Sequence, residues 1–222
     1  MSLYYYKDMF KVQDMQEAKA IILTEEQEGG DYKERWDRET EYMKGLFAEG
    51  LGDLNGKTIL DFGCGIGRLS KVLLQQYDCH VLGVDISPDM RRLAQEYVAD
   101  DRFSVLSYEM FCQLGGTGRL QVDCGLAVYV LQHVYDPARD IQLLRQVVKD
   151  RLFVLNLQHR AIPVLDSETG AKKFYLDQQP EAQADVGKLL EAQFALQKEL
   201  PLAADKISMA RFHWCRIYGA RG

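Results

Sequence analysis

Apolar and polar positions along the chain alternate between two patterns. Short, nearly continuous apolar runs predict five strands, at Thr58–Phe62, His80–Asp85, Phe103–Ser107, Val122–Tyr129 and Arg151–Leu157. Between most of them, apolar residues recur every three or four positions, which predicts helices that pack against the strands. Strands that alternate with helices, and that are apolar on both faces, are typical of a three-layer α/β fold with a parallel sheet.

The two ends of the chain differ from this central pattern. Residues 1–50 are polar, carry two helical stripes, and are predicted to form a helical cap on a core of residues 51–222, so that residues 1–222 make one domain. The cap either pads the core or closes over a ligand, with Trp36 and the run Tyr4 to Tyr6 as an apolar wall.

The region after the fifth strand is predicted to be mostly irregular. Residues 158–179 contain few strong elements, and a loop of that length is often functional. Residues 181–192 are predicted to be helical. Two strands, Phe194–Leu200 and Phe212–Tyr218, follow and are predicted to pair in an antiparallel sense.

Composition excludes several classes of protein. The 222 residues have a net charge of −6, which gives no general attraction to nucleic acid, and no apolar run is long enough to span a bilayer. The five cysteines form no CxxC pair or zinc spacing, so free thiols in a reducing compartment and a cytoplasmic location are expected. No cluster has metal-ligand spacing, so no metal is expected.

A glycine-rich turn between the first strand and its helix is the main chemical signal. Gly63, Gly65 and Gly67 allow the backbone to turn sharply and to approach a ligand, and Asp85 ends the next strand, where a carboxylate can bind ribose hydroxyls. The dinucleotide pattern GxGxxG fails, because Arg68 stands at its third glycine position. Asp61 precedes the turn, where an acid would repel a pyrophosphate but suit a cationic amine.

Three stretches of the chain resemble one known family. Residues 60–68 (LDFGCGIGR) and residues 81–90 (VLGVDISPDM) look like motifs I and II of the class I S-adenosylmethionine-dependent methyltransferases. Residues 122–134 (VDCGLAVYVLQHV) look like the fourth-strand motif of its small-molecule branch, which quinone-biosynthesis enzymes typify. The resemblance covers roughly residues 57–200. It implies a Rossmann-like, doubly wound sheet of seven strands with the last antiparallel.

The resemblance also implies roles for individual residues in binding S-adenosylmethionine. Asp61 would reach the methionine amino group, and Arg68 would pair with its carboxylate. Asp85 would hold the ribose and Ile86 would pack on the adenine. The other residues placed at the cofactor are Gly63, Gly65, Gly67 and Ala127, and Trp36 of the cap is the candidate wall suggested by its aromatic ring.

One departure from the family pattern concerns the adenine end. The branch usually has Asp after the third strand, whereas this chain has Tyr108 followed by Glu109. Either Glu109 takes the role in a shifted register, or Tyr108 stacks on the adenine.

Acceptor chemistry is less specified by the sequence. His133 and His159 follow predicted strands at the ligand edge and are the candidate catalytic bases, although His133 could instead cap or pack the following turn. Tyr129, Asn156, Gln158, Phe174 and Tyr175 are candidates for the acceptor pocket. The sequence predicts a methyltransferase, monomeric or homodimeric, with a small-molecule acceptor. The alternatives are a protein or RNA methyltransferase and a non-catalytic cofactor-binding protein.

Overall fold

The computed structural model describes residues 3–5, 7–23, 32–166, 172–177, 185–207 and 210–221. The helices are α1 (Met15–Ile22), α2 (Tyr32–Leu51), α3 (Arg68–Gln76), α4 (Pro88–Val98), α5 (Tyr108–Gly116), α6 (Pro137–Val147) and α7 (Val186–Gln193). The strands are β1 (Leu3–Tyr5), β2 (Thr58–Phe62), β3 (His80–Asp85), β4 (Phe103–Ser107), β5 (Val122–Val128), β6 (Val148–Leu157), β7 (Arg160–Asp166), β8 (Lys172–Asp177), β9 (Phe194–Leu200) and β10 (His213–Ala220).

Seven strands form the central sheet in the order β4-β3-β2-β5-β6-β10-β9. The first five strands of that order are parallel, and β10 runs antiparallel to both β6 and β9. This arrangement confirms the predicted doubly wound sheet with an antiparallel last strand. Because the order reverses direction beside β2, the carboxyl ends of β2, β3 and β5 meet at one edge of the sheet, where such folds bind ligands.

Helices cover both faces of this sheet. One apolar cluster joins Met43 and Phe47 of α2 and Leu73 of α3 to the first face, and a second joins Leu144 of α6 and Leu190 of α7 to the other. Burying one such side chain contributes about 1.5–3 kcal/mol, so these clusters supply the main driving force for the layered arrangement.

Capping residues fix where the helices begin. Ser87 Oγ accepts a hydrogen bond from the Met90 N–H at 3.3 Å, and Asp136 Oδ1 accepts one from the Arg139 N–H at 3.1 Å. In both helices proline follows the cap, since its fixed backbone angle and missing N–H suit the first turn.

Two predictions for the loops are wrong. Residues 158–179 are not mostly irregular, because β7 and β8 lie within them and form a second, three-stranded antiparallel sheet in the order β1-β7-β8. The run GGTG at residues 115–118 predicts a loop from the sequence, but Gly115 and Gly116 complete helix α5, which starts after the Ser107 cap. Gly115 packs closely against Leu143 of α6, where a larger side chain would clash.

Candidate functional site

A cavity of about 750 Å³ opens at the carboxyl edge of the parallel strands. The glycine turn after β2 forms its floor, with residues that follow β3, β4, β5 and β6 around it. Helices α1 and α2 contribute the remaining wall: Ile21, Ile22, Leu23, Arg35 and Glu39 line the cavity. The N-terminal segment therefore covers the site as well as the core.

Backbone angles in the glycine turn require the residue type that is present. Gly63, Gly65 and Gly67 have φ values of 77°, 55° and 77°, in the left-handed region that other residues adopt at a cost. A Cβ on Gly63 would lie 2.6 Å from Val130 Cβ, and one on Gly65 would lie 3.0 Å from Ile22 Cδ1. The turn therefore presents backbone atoms to the cavity, and its neighbours leave little room for side chains at Gly63 and Gly65.

Asp85 is oriented by two backbone donors. Its Oδ2 accepts from the Gly65 N–H at 2.9 Å, and its Oδ1 accepts from the Ser87 N–H at 2.8 Å. Burial raises the pKa of the carboxyl, and these N–H donors oppose that shift. Each carboxylate oxygen keeps a further lone pair, so the group can still accept from a ligand hydroxyl.

Asp61 lies at the bottom of the cavity, in the last part of β2. Its Oδ2 accepts a hydrogen bond from Ser70 Oγ at 2.7 Å, and only 3% of the residue is exposed. Burial raises the pKa of the carboxyl to about 6. A cationic ligand group beside it would stabilise the ionised form.

Arg68 begins helix α3 and is 4% exposed. Its guanidinium lies 5.0 Å from the centre of the Trp36 ring, a distance that favours a cation–π contact. Among the residues that the structure describes, its Nη1 has no hydrogen-bond partner. A buried guanidinium in that state has capacity for an anionic ligand group.

The adenine end predicted from the sequence contains an unexpected pair. Tyr108 donates a hydrogen bond of 2.5 Å to Oδ1 of Asp140, a residue of α6 that also lines the cavity. Burial raises the pKa of Asp140 to about 6. Glu109 is exposed and does not line the cavity, whereas Asp140 of α6 does.

His133 lines the cavity, but its ring is held on both sides. Nδ1 lies 2.6 Å from the Ala161 carbonyl, which can only accept, so Nδ1 carries the proton. Nε2 lies 3.2 Å from Gln132 Nε2, whose amide is oriented because its oxygen accepts from the Leu157 N–H. Burial lowers the pKa of the ring to about 4. The ring therefore joins the segment after β5 to the start of β7.

Other predicted residues divide into two groups. Those that line the cavity are Ile86, Tyr129 and the exposed His159. Those that do not line it are Trp36, Gly67, Ala127, Asn156 and Gln158. Trp36 packs against Arg68, and Gly67 packs against Val98. Ala127 is buried within β5. The side chains at Tyr4 to Tyr6, Phe174 and Tyr175 lie outside the described part of the chain.

Tyr129 directly follows β5, whereas Ala127, which the resemblance implies at the cofactor, is buried within the strand. It has a φ of 56°, an uncommon conformation for a residue with a side chain, and it lines the cavity. Strain of this kind costs about 1–2 kcal/mol and persists where the surrounding structure enforces it. Val128, the last residue of β5, and Val130 also line the cavity.

Sequence reasoning missed three charged residues of the site. Arg35 and Glu39 lie on α2, and Asp140 lies on α6, yet all three are buried and line the cavity. The spacing of Arg35 and Glu39 on one helix face was the available signal. Within the described residues, no group of three potential ligands could hold a metal ion, and none of the helices has the length and apolar character needed to cross a membrane.

Comparisons with known proteins agree with this geometry. The methyltransferase domain family model matches residues 59–151. Ubiquinone biosynthesis O-methyltransferases of Leptothrix cholodnii and Pseudomonas paraeruginosa are 27% and 30% identical over 125 and 127 residues, which is 51% of this chain and 53% of each relative. The chain thus spans about half the length of these curated relatives.

Solved structures share the fold at low sequence identity. A protein of Pyrococcus horikoshii is 18% identical with a TM-score of 0.62, and the match covers 91% of this chain and 98% of that one. Magnesium protoporphyrin IX methyltransferase of Synechocystis, solved with S-adenosylhomocysteine, is 20% identical with a TM-score of 0.54 and coverage of 92% and 100%. In its matched domain, its curated relatives and its fold, the chain is similar to S-adenosylmethionine-dependent methyltransferases.

Proposed function

We propose that the protein transfers a methyl group from S-adenosylmethionine to a small-molecule acceptor. The observation that carries this proposal is the glycine turn at the floor of the cavity, where the Gly65 N–H holds the Asp85 carboxylate. The match of residues 59–151 to the methyltransferase domain model supports the cofactor, and the names of the distant ubiquinone relatives support a small acceptor.

The residues present fit S-adenosylmethionine. Its amino-acid end carries one positive and one negative charge, and Asp61 and Arg68 offer one group of each sign at the glycine turn. Asp85 would hold the ribose hydroxyls, and Ile86 would pack on the adenine. At the far end, the Tyr108–Asp140 pair offers a polar edge for the base.

When bound, the cofactor supplies a methyl group on a positively charged sulfur, which an acceptor attacks in line. The protein's own contribution is alignment, which can supply on the order of 7–11 kcal/mol in well-oriented systems. Tyr129, whose backbone is held in an unusual conformation, would define the wall beside the acceptor. Val128 and Val130 would exclude water there.

Of the two candidate bases, His159 is the one whose exposed ring is open to an acceptor entering the cavity. We propose that His133 has a positioning role, because both ring nitrogens have partners and a pKa of about 4 makes it a weak base at neutral pH. His159→Asn should lower kcat and alter its pH profile, whereas His133→Asn should leave the shape of that profile unchanged. The opposite pattern would reverse the assignment.

We further infer that residues 1–222 function as one methyltransferase domain, with residues 1–50 as its cap, in the cytoplasm, as a monomer or homodimer. Cys64, Cys79, Cys112, Cys124 and Cys215 are all free thiols, which suits a reducing compartment. Light scattering on the purified protein would determine the oligomeric state.

Calorimetric titration with S-adenosylhomocysteine tests the cofactor, and a transfer assay tests the acceptor. The purified protein is incubated with donor carrying a tritiated methyl group and with small-molecule, protein or RNA fractions of a cell extract. Label should enter the small-molecule fraction. Label only in protein or RNA would replace this proposal with a macromolecular one, and binding without transfer to any fraction would favour a non-catalytic binding protein.

A further inference from the structure

Helix α2 places an ion pair in the wall of the cavity. Arg35 Nε lies 3.7 Å from Glu39 Oε1, and the two residues are only 8% and 4% exposed. Both line the cavity together with Asp61, Gly63 and Arg68. They lie outside residues 59–151, which match the family domain, so the motif-based assignment of the cofactor site does not include them.

Glu39 acts electrostatically on Arg68, which follows the glycine turn and whose Nη1 has no hydrogen-bond partner in the described chain. Burial lowers the pKa of the Arg68 guanidinium, and the charge of Glu39 is the strongest influence against that shift. Glu39 likewise dominates the charges that act on Tyr129, at the end of β5. Glu39, Arg68 and Tyr129 all line the same cavity.

Burying this many charges is costly unless each has a partner. Removing an ionised group from water is destabilising, and only close, well-oriented partners offset that effect. The cluster contains the cations Arg35 and Arg68 and the anions Glu39 and Asp61, and the Arg68 Nη1 atom has no partner in the described chain. A ligand group with one charge of each sign would satisfy such a cluster without changing its net charge.

Building on the proposed function, we propose that Glu39, held by Arg35, binds the ammonium group at the methionine end of the cofactor. Asp61 contacts the same ammonium from the floor of the cavity, where its Oδ2 is already engaged by Ser70. Arg68 takes the carboxylate. The cap helix thus completes the amino-acid half of the site, to which the matched domain contributes Asp61 and Arg68.

Calorimetric titration with four ligands tests the contacts to the ammonium and to the carboxylate separately. S-adenosylhomocysteine has both charged groups, its decarboxylated analogue keeps only the amine, its deaminated analogue keeps only the carboxylate, and methylthioadenosine has neither. Glu39→Gln should weaken binding of the two amine-containing ligands about 10- to 100-fold, the range for a hydrogen bond to a charged group. Affinity for methylthioadenosine should stay at the wild-type level, and the deaminated ligand should bind no more weakly than it does to the wild type.

Two further variants complete the experiment. Arg68→Gln should weaken the two carboxylate-containing ligands and spare the decarboxylated one. Glu34→Gln, on an exposed position of the same helix, is the matched control and should change none of the four affinities.

The outcomes separate this inference from the function on which it rests. If Glu39→Gln weakens all four ligands equally, or none of them, Glu39 does not bind the ammonium and the inference is wrong. If the wild-type protein binds none of the four, the proposed function itself fails. Retained binding of methylthioadenosine by Glu39→Gln also shows that the variant is folded.

Discussion

Gly63→Ala is expected to cost far more than an ordinary glycine substitution. The residue has a φ of 77°, and an alanine in the left-handed region costs about 1–2 kcal/mol. The new Cβ would also lie 2.6 Å from Val130 Cβ, an atom that no side-chain rotation can move. Overpacking of that kind costs about 1–3 kcal/mol more, so the free energy of unfolding should fall by about 2–5 kcal/mol.

Gly56→Ala provides a control that isolates the backbone contribution. Gly56 has a φ of 71°, and no heavy atom lies within 4 Å of where its Cβ would be. The free energy of unfolding of Gly56→Ala should therefore fall only by the cost of an alanine in the left-handed region, about 1–2 kcal/mol. The difference between the two variants measures the close approach of Val130 to the turn.

Urea denaturation followed by circular dichroism gives both values, and titration with S-adenosylhomocysteine gives the effect on binding. Gly63→Ala should weaken the ligand strongly, because the turn must shift to accept the methyl group, whereas Gly56→Ala should bind normally. Equal losses of stability in the two variants would refute the claim that the turn is held against Val130.

Three other substitutions test the polar groups of the cavity. Burial raises the pKa of Asp61 from 3.8 to about 6, so the native state binds a proton more tightly than the unfolded state does. The free energy of unfolding should therefore fall by about 3 kcal/mol as the pH rises from about 4 through 6. Asp61→Asn should remove that part of the pH dependence in urea denaturation at pH 4, 5 and 7, and an unchanged slope would contradict the shift. Tyr108→Phe removes the hydrogen-bond donor of buried Asp140 and should lower the free energy of unfolding by about 1–3 kcal/mol at pH 7. The loss should be smaller at pH 5, where Asp140 is mostly protonated. Equal losses at the two pH values would argue against a raised pKa of Asp140. Asp85→Asn should weaken S-adenosylhomocysteine about 10- to 100-fold in calorimetry through loss of a charged acceptor, and wild-type affinity would remove Asp85 from the site.

Features that depend on local chemistry could be predicted from the sequence. The glycine turn is specified by residues that tolerate positive φ, and the starts of α4 and α6 are specified by Ser87 and Asp136, whose side chains cap them. The strand Phe194–Leu200 was predicted with the bounds that the structure has. In each case the deciding interaction lies within a few positions along the chain.

Features that depend on distant partners could not be predicted in this way. The strand β7 pairs with β1, more than 150 positions earlier, and a short run with a proline in it gives no sign of that partner. Arg35 and Glu39 resemble an exposed ion pair on a polar helix, and only the packing of α2 over the cavity buries them. Asp140 is likewise recognised as a residue of the site only through its hydrogen bond to Tyr108, which lies 32 positions earlier in the chain.

The pairing of β1 with β7 also constrains when the protein can finish folding during synthesis. Leu3 pairs opposite Asp166, so the first strand of the chain has no partner until the ribosome has released the seventh. At about 5–20 residues per second, that interval lasts about 8–30 seconds. During this time the small sheet beside the cavity is incomplete. Factors that bind nascent chains would therefore meet residues 3–5 as an unpaired strand well before the ligand site is enclosed.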